Sequence, residues 1–433
     1  MTRNFIIVLL LASSLLSEAE TNDAKTLTLR EACEMALHHH PQISAANFRA
    51  LAALQGVKET RSAFFPQANL VATAAAADSA NTRIEAGALN NPSIFDRGAE
   101  GLVINQLITD FGRTANLTAS SKSQARAEAQ NAEATQEKIL LLAQVNYFSA
   151  LQARSMVKVA HQTFATRELL FRQVTALASN QLRSDLDVSF ARVSFGESRL
   201  LLQKSESDAQ AADAMLASAL GLRDAEHFEL IEQSPPENIS TNINDLVWNA
   251  LGHRPELQSL RHQREAAWRM AKAQRDARLP SINAVGTVGN SFAHDSRLPD
   301  SYGAAGVTVS IPLFAGGLYT ARQDAAELRA RAAEETLRAE EDEVTRDVRI
   351  AWLNLNNAVQ RLDITEQLLQ NANESWRLAD AKYRAGASSM IELSQAQLNL
   401  TSAEISRTNA RYDALIQRAN LNYQTGKLDL PGS

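Results

Sequence analysis

Ala36-Leu37-His38-His39-His40-Pro41-Gln42-Ile43 returns as Ala250-Leu251-Gly252-His253-Arg254-Pro255-Glu256-Leu257, offset by 214 residues, and Phe65-Pro66 returns as Leu279-Pro280 at the same interval. Further along, the offset becomes 205. Gly101-Leu102-Val103 answers Gly306-Val307-Thr308, Ser184-Asp185-Leu186-Asp187-Val188 answers Ser389-Met390-Ile391-Glu392-Leu393, and Gly221 answers Gly426. The chain is a tandem duplication with one nine-residue length difference between about residues 78 and 100. Two copies of one long unit imply a quasi-symmetric architecture rather than a single catalytic pocket.

Proline and glycine mark the joints of each copy. Pro41 and Pro255 suit helix starts, Pro66 and Pro280 follow the ends of those helices, Pro312 stands near the start of the next, and Pro235-Pro236 separates the repeats. Each repeat then parses as a helix, a strand, a hairpin loop, a second strand, a very long helix, a tight turn and another helix. The first repeat spans 20–236, with strands at about 67–77 and 101–108 and a helical hairpin at 112–220. The second spans 237–433, with strands at about 281–291 and 303–311 and a hairpin at 317–425. The strand segments alternate: Val307, Val309 and Ile311 share one face, Thr308 and Ser310 the other. One apolar face and one small or polar face are what a membrane barrel requires.

The long helices, Gly112 to Ala178 and Gly317 to Arg384, are expected to run about 100 Å at 1.5 Å per residue. The helices of about 24 and 36 residues that flank them reach about 90 Å when stacked end to end, so the unit forms a wall of near-uniform height. A heptad seam runs through the second copy: Val348, Leu355, Leu362, Leu369, Trp376 and Tyr383, with Ala351, Ala358, Thr365, Ala372 and Ala379 three positions later. The first copy repeats it as Ala143, Asn146, Ala150, Ala153, Val157, Ala160, Phe164, Arg167, Phe171, Val174 and Ala178. So many alanines let neighbouring helices approach closely.

The N-terminus indicates the compartment. A basic start, the apolar run from Phe5 to Leu16 and Ser17-Glu18-Ala19 read as a secretory signal covering residues 1–19. No later segment reaches the apolar length of a spanning helix, so a membrane crossing falls to strands. A net charge of −6, with the 43 Lys and Arg residues dispersed, gives no reason to expect nucleic acid. The single Cys33 excludes an internal disulfide framework.

Catalytic patterns are missing: there is no Walker A motif, no dinucleotide loop and no Gly-x-Ser-x-Gly elbow. His38-His39-His40 could hold a metal, but the cluster precedes Pro41 at a helix start and only one histidine, His253, recurs in the second copy. Glu340-Glu341-Asp342-Glu343 reads as a solvated helix face.

Four strands per chain cannot close a barrel, and lipid does not tolerate open sheet edges, so several chains contribute to one closed sheet. Spacing alone leaves their number open. Leu29-Arg30-Glu31-Ala32 leading to His40-Pro41, Gln106-Leu107-Ile108-Thr109-Asp110-Phe111-Gly112-Arg113, Ile311-Pro312-Leu313-Phe314-Ala315-Gly316-Gly317 and Tyr383-Arg384-Ala385-Gly386, on the duplicated plan, resemble the TolC-type outer-membrane efflux proteins over essentially the whole mature chain.

That resemblance implies a mainly α protein with a membrane β-barrel: a homotrimer whose 12-stranded barrel in outer-membrane lipid continues into a long periplasmic helical barrel. It implies a non-enzymatic exit duct without cofactors, whose partners are a periplasmic adaptor and an inner-membrane pump or ABC-type exporter. Small-molecule efflux and type I protein secretion share this architecture, and a purely periplasmic coiled-coil scaffold would leave the strands unexplained. The segments from about Leu222 to Asp245 and after Leu428 would form a belt outside the tube. By residue matching, the resemblance places a gate at Tyr383 and Asp187, bonded to each other, with Glu392 and Gln395 facing the narrowest part of the channel. It places adaptor docking on the turns carrying Leu182, Arg183, Gly386 and Ser388.

Overall fold

The computed structural model describes residues 25–76, 85–86, 89–90, 97–223, 228–235, 242–293 and 299–427. The expected signal segment and the tail after Leu428 lie outside the described residues. In the first repeat, β1 (Lys25–Leu27) leads to α1 (Leu29–His39), α2 (Pro41–Ser62), β2 (Gln67–Ala75), the short β3 (Glu85–Ala86) and β4 (Leu89–Asn90), β5 (Arg97–Thr109), α3 (Arg113–Ser179) and α4 (Asp185–Ala219). After β6 (Phe228–Leu230) the second repeat follows with α5 (Ile243–His253), α6 (Pro255–Asp276), β7 (Ser281–Ala293), β8 (Ser301–Ser310), α7 (Leu318–Arg384) and α8 (Met390–Gln424). The two long helices have 67 residues each, α4 and α8 have 35 each, and α2 and α6 have 22 each. The duplication read from sequence is thus kept in the helices and the long strands, although β3 and β4 have no counterpart among the described residues of the second repeat, and α1 and α5, which precede Pro41 and Pro255, form separate helices that the sequence reading did not resolve.

Local chemistry explains these boundaries. Thr28 and Glu31 form a reciprocal capping box at α1, and Ser184 with Asp187 does the same at α4. His40 Nδ1 accepts from the Gln42 amide 3.3 Å away and so caps α2, while His39 Nδ1 lies 3.1 Å from the Met35 carbonyl. His39 and His40 therefore serve the junction between α1 and α2. At the strand-to-helix joint, the Asp110 carboxylate accepts from the Thr114 amide and hydroxyl at 2.8 and 2.6 Å and from the Gly112 amide at 3.3 Å, fixing the start of α3.

The four long strands form one antiparallel sheet in the order β2-β5-β7-β8. Its register stacks Leu70, Leu102 and Val288 across three strands, and pairs Ala284 with Val307 and Ile282 with Val309 on that face. The opposite face pairs Asn69, Val103 and Thr287, and Asn283 with Thr308. Leu70, Val288, Val307 and Val309 are 55–75% exposed, an apolar face that the described residues of one chain leave uncovered. Among the described residues, β2 and β8 are both unpaired on their outer edges. β5 begins four residues earlier than expected and β7 runs two further, which lengthens the central pair of the sheet.

Beneath the sheet the helices stand side by side in the order α2, α3, α6, α7. Lower down α3 packs on α4, α7 on α8, and α3 touches α8. Val348, Leu355, Ala351, Ala358, Ala372, Ala379 and Tyr383 of the expected seam are buried, and so are Ala143, Ala150, Ala160, Arg167 and Val174 in the first copy. At mid-height, β1 pairs in parallel with β6, forming a small ladder beside α1. Tyr147 locks it: the hydroxyl lies 2.8 Å from the Leu27 carbonyl and 2.9 Å from the Ile231 carbonyl, and accepts from the Ile231 amide at 2.9 Å. Among the described residues no helix is long and apolar enough to cross a membrane.

Candidate gate and docking surface at the helical tip

The end of the molecule farthest from the sheet is built by two equivalent turns. α3 ends with the Leu182 amide bonded to the Leu177 carbonyl at 3.0 Å, and α7 ends with the Ala387 amide bonded to the Lys382 carbonyl at 2.8 Å. Each turn needs one residue in the left-handed region. The second copy uses Gly386, with φ of 74°, whereas the first forces Gln181 there, with φ of 60°. The same backbone is therefore relaxed in one copy and strained in the other.

The residues that the resemblance assigns to a gate lie together here, but their bonding differs from that implied. Tyr383 is 5% exposed, packed among Leu170, Val174, Met390 and Leu393, and among the described residues its hydroxyl has no hydrogen-bond partner. The expected bond to Asp187 is not made. Asp187 instead turns back on its own helix start, where Oδ2 accepts from the Ser184 hydroxyl at 3.0 Å and amide at 3.3 Å. The link between repeats runs through Arg183. Its guanidinium carbon sits 4.2 Å from the centre of the Tyr383 ring and its Nη2 donates to the Tyr383 carbonyl at 3.1 Å. Burial raises the Tyr383 pKa, against the lowering influence of Arg183 and with a smaller upward push from Asp187.

Glu392 occupies the position in the second copy that Asp187 occupies in the first, yet it does not complete a capping box. Its amide donates to the Ser389 hydroxyl at 3.3 Å while its carboxylate lies 3.9 Å from the Lys382 ammonium, with both side chains more than half exposed. Gln395, one turn on, is exposed and donates to Asn399 Oδ1 at 3.0 Å. Glu392 and Gln395 share a face of α8.

Of the residues assigned to docking, Leu182 is 69% exposed and a side chain at Gly386 would meet no neighbouring atom within 4 Å. Ser388 is half-buried, with an unpartnered hydroxyl. Arg183 is engaged inward with Tyr383. Leu186 and Ile391, equivalent positions just after the cap serines of the two copies, which the sequence reading did not single out, are exposed at 63% and 58%. Their apolar character directly after a helix cap, in both repeats, was the available signal.

A family model described as outer membrane efflux protein matches residues 32–222 and 246–427. The chain is similar to the outer membrane protein TolC of Salmonella enteritidis, 23% identical over 96% of this chain and 84% of that protein. It is similar also to the proteases secretion protein PrtF of Dickeya chrysanthemi, 23% identical over 94% of this chain and 89% of that one. Among solved structures, the outer membrane protein VceC of Vibrio cholerae superposes with a TM-score of 0.80 at 19% identity, over 92% of this chain and 96% of that chain. With two matched halves that correspond to the two repeats, this chain belongs to the outer membrane efflux protein family.

Proposed function

We propose that three copies of this chain close a 12-stranded barrel in the outer membrane and continue it as a helical duct into the periplasm, through which small molecules delivered by a periplasmic adaptor and an inner-membrane pump leave the cell. The observation that carries this reading is the four-stranded sheet, with a continuous apolar face and two open edges, β2 and β8, standing on helices of about 100 Å. In water or lipid those edges and that face need covering, and pairing β8 of one copy with β2 of the next covers both edges at once. The tip is the natural closure point, since it joins the two hairpins of each copy through Arg183 and Tyr383 and carries an acidic Glu392 in each chain. Deleting the gene in its host and measuring retention of an efflux dye tests the reading: the deletion strain accumulates dye and the restored gene reverses it.

The second reading, a duct for exported polypeptides, is favoured by relatives named as secretion proteins, PrtF of Dickeya chrysanthemi and the alkaline protease secretion protein AprF of Pseudomonas aeruginosa. Loss of a secreted polypeptide from the medium of the deletion strain, with dye retention unchanged, supports this second reading instead.

A further inference from the structure

A groove of about 810 Å³ runs between α2 and α3, close below the sheet. Its two walls differ in kind. α2 contributes Leu51, Leu54 and Val57, with Leu51 and Leu54 53% and 50% exposed, and α3 contributes Lys122 and Arg126 beside Ala125. Arg61, in the last turn of α2, stands at the upper end. No acidic residue lines the groove, and among the described residues none of these three cations forms an ion pair.

Position decides what the groove faces. Arg126 stands two heptads before Leu140 and three before Tyr147, and Lys122 three before Ala143; all three of those residues pack in the core shared with α1. The groove therefore opens on the belt side of α3. The opposite side is concave, since Ala53 of α2, Ala127 of α3, Ala267 of α6 and Ala326 of α7 surround one hollow there. An outward groove at this height begins at the membrane: α2 ends at Ser62, just before β2 starts at Gln67, and Lys122 and Arg126 lie about 14 and 20 Å down α3 from Arg113.

The chemistry asks for one kind of molecule. Lys122 and Arg126 are a single helical turn apart on one face, so their charges repel, and an anion between them relieves that cost. Leu51 and Leu54 leave apolar surface in water that a hydrocarbon chain would cover. An anionic head joined to an acyl chain meets both demands.

We propose that this groove holds an anionic phospholipid of the inner leaflet of the outer membrane, with its phosphate on Lys122 and Arg126 and an acyl chain rising along Leu51, Leu54 and Val57, past Arg61, into the leaflet. The site rests on the reading of the sheet as part of an outer-membrane barrel and adds a lipid of defined charge fixed to the wall beneath it.

Native mass spectrometry of the full-length protein in mild detergent tests this, with phosphatidylglycerol and phosphatidylcholine of identical chains as the probes. The natural protein is expected to retain phosphatidylglycerol in preference, by about fivefold for each basic residue engaged. Lys122→Gln combined with Arg126→Gln, both at exposed positions, is expected to abolish the preference, whereas Lys58→Gln, an exposed cation of α2 outside the groove, is expected to keep it. Leu54→Asn is expected to weaken retention of both lipids. The same spectra count the chains. A three-chain assembly that binds the two lipids equally, or a preference that survives the Lys122 and Arg126 substitutions, overturns the lipid site and leaves the barrel reading untouched; a stable monomer overturns both.

Discussion

Arg183 covers the ring of Tyr383 from 4.2 Å and binds that residue's carbonyl, so the two repeats are tied at the tip by one arginine acting on both a side chain and a backbone. Because the Tyr383 hydroxyl makes no bond, Tyr383→Phe is expected to change little, whereas Arg183→Ala removes both links. In planar bilayers Arg183→Ala should raise single-channel conductance and Tyr383→Phe should leave it near the natural value. Equal conductance in the two variants would place the closure elsewhere.

Asp187 is a helix cap here, and its loss is expected to act on stability. Asp187→Ala opens the capping box with Ser184 and should cost about 1 kcal/mol, read as a lower unfolding midpoint. At the neighbouring turn, Gln181→Gly relieves a left-handed glutamine and should stabilise by up to about 1 kcal/mol. Gly386→Gln should do the reverse.

The duplication, the strands and the two long helices were legible because they rest on periodicity and on proline and glycine positions that local physics fixes. The bonding of the tip was not. Whether Asp187 reaches across to Tyr383 or back to Ser184 depends on two competing hydrogen bonds, and the local one wins because helix geometry brings Ser184 to within 3.0 Å. Arg183 was equally hidden, since a turn arginine reads as solvated until the partner hairpin supplies an aromatic face. The ladder of β1 and β6 escaped because strands of three residues carry no measurable alternation.

That ladder makes its own prediction. Tyr147 is fully buried and its hydroxyl serves Leu27 and Ile231, so Tyr147→Phe leaves the Ile231 amide and the Leu27 carbonyl only their bond to each other at 3.3 Å and should destabilise by about 1 kcal/mol. Thermal unfolding checks it, and loss of amide protection at Ile231 locates it.

On the sheet, Val309→Asp places a carboxylate on the apolar face and should cost about 2 kcal/mol or less, whereas Thr308→Asp on the opposite face should cost less. The comparison is made by unfolding from lipid bilayers. A larger cost at Thr308 would reverse the assignment of the lipid face.

Glu404 gives a pH dependence of defined sign. Burial raises its pKa in the folded chain above the ordinary value of 4.5, so the protonated form is the one the fold prefers. Its stabilising effect is complete below the unfolded pKa and is lost as pH rises through the folded one. Glu404→Gln should therefore melt higher than the natural protein at pH 8, with the difference shrinking towards pH 4. A difference that grows on acidification would contradict the burial argument.

The central claim is that one chain supplies a third of a closed barrel. Native mass spectrometry of the protein extracted from outer membranes in mild detergent measures this directly. The account predicts a single assembly of three chains that persists when the soluble fraction is removed, and a stable monomer from the same membranes would contradict it.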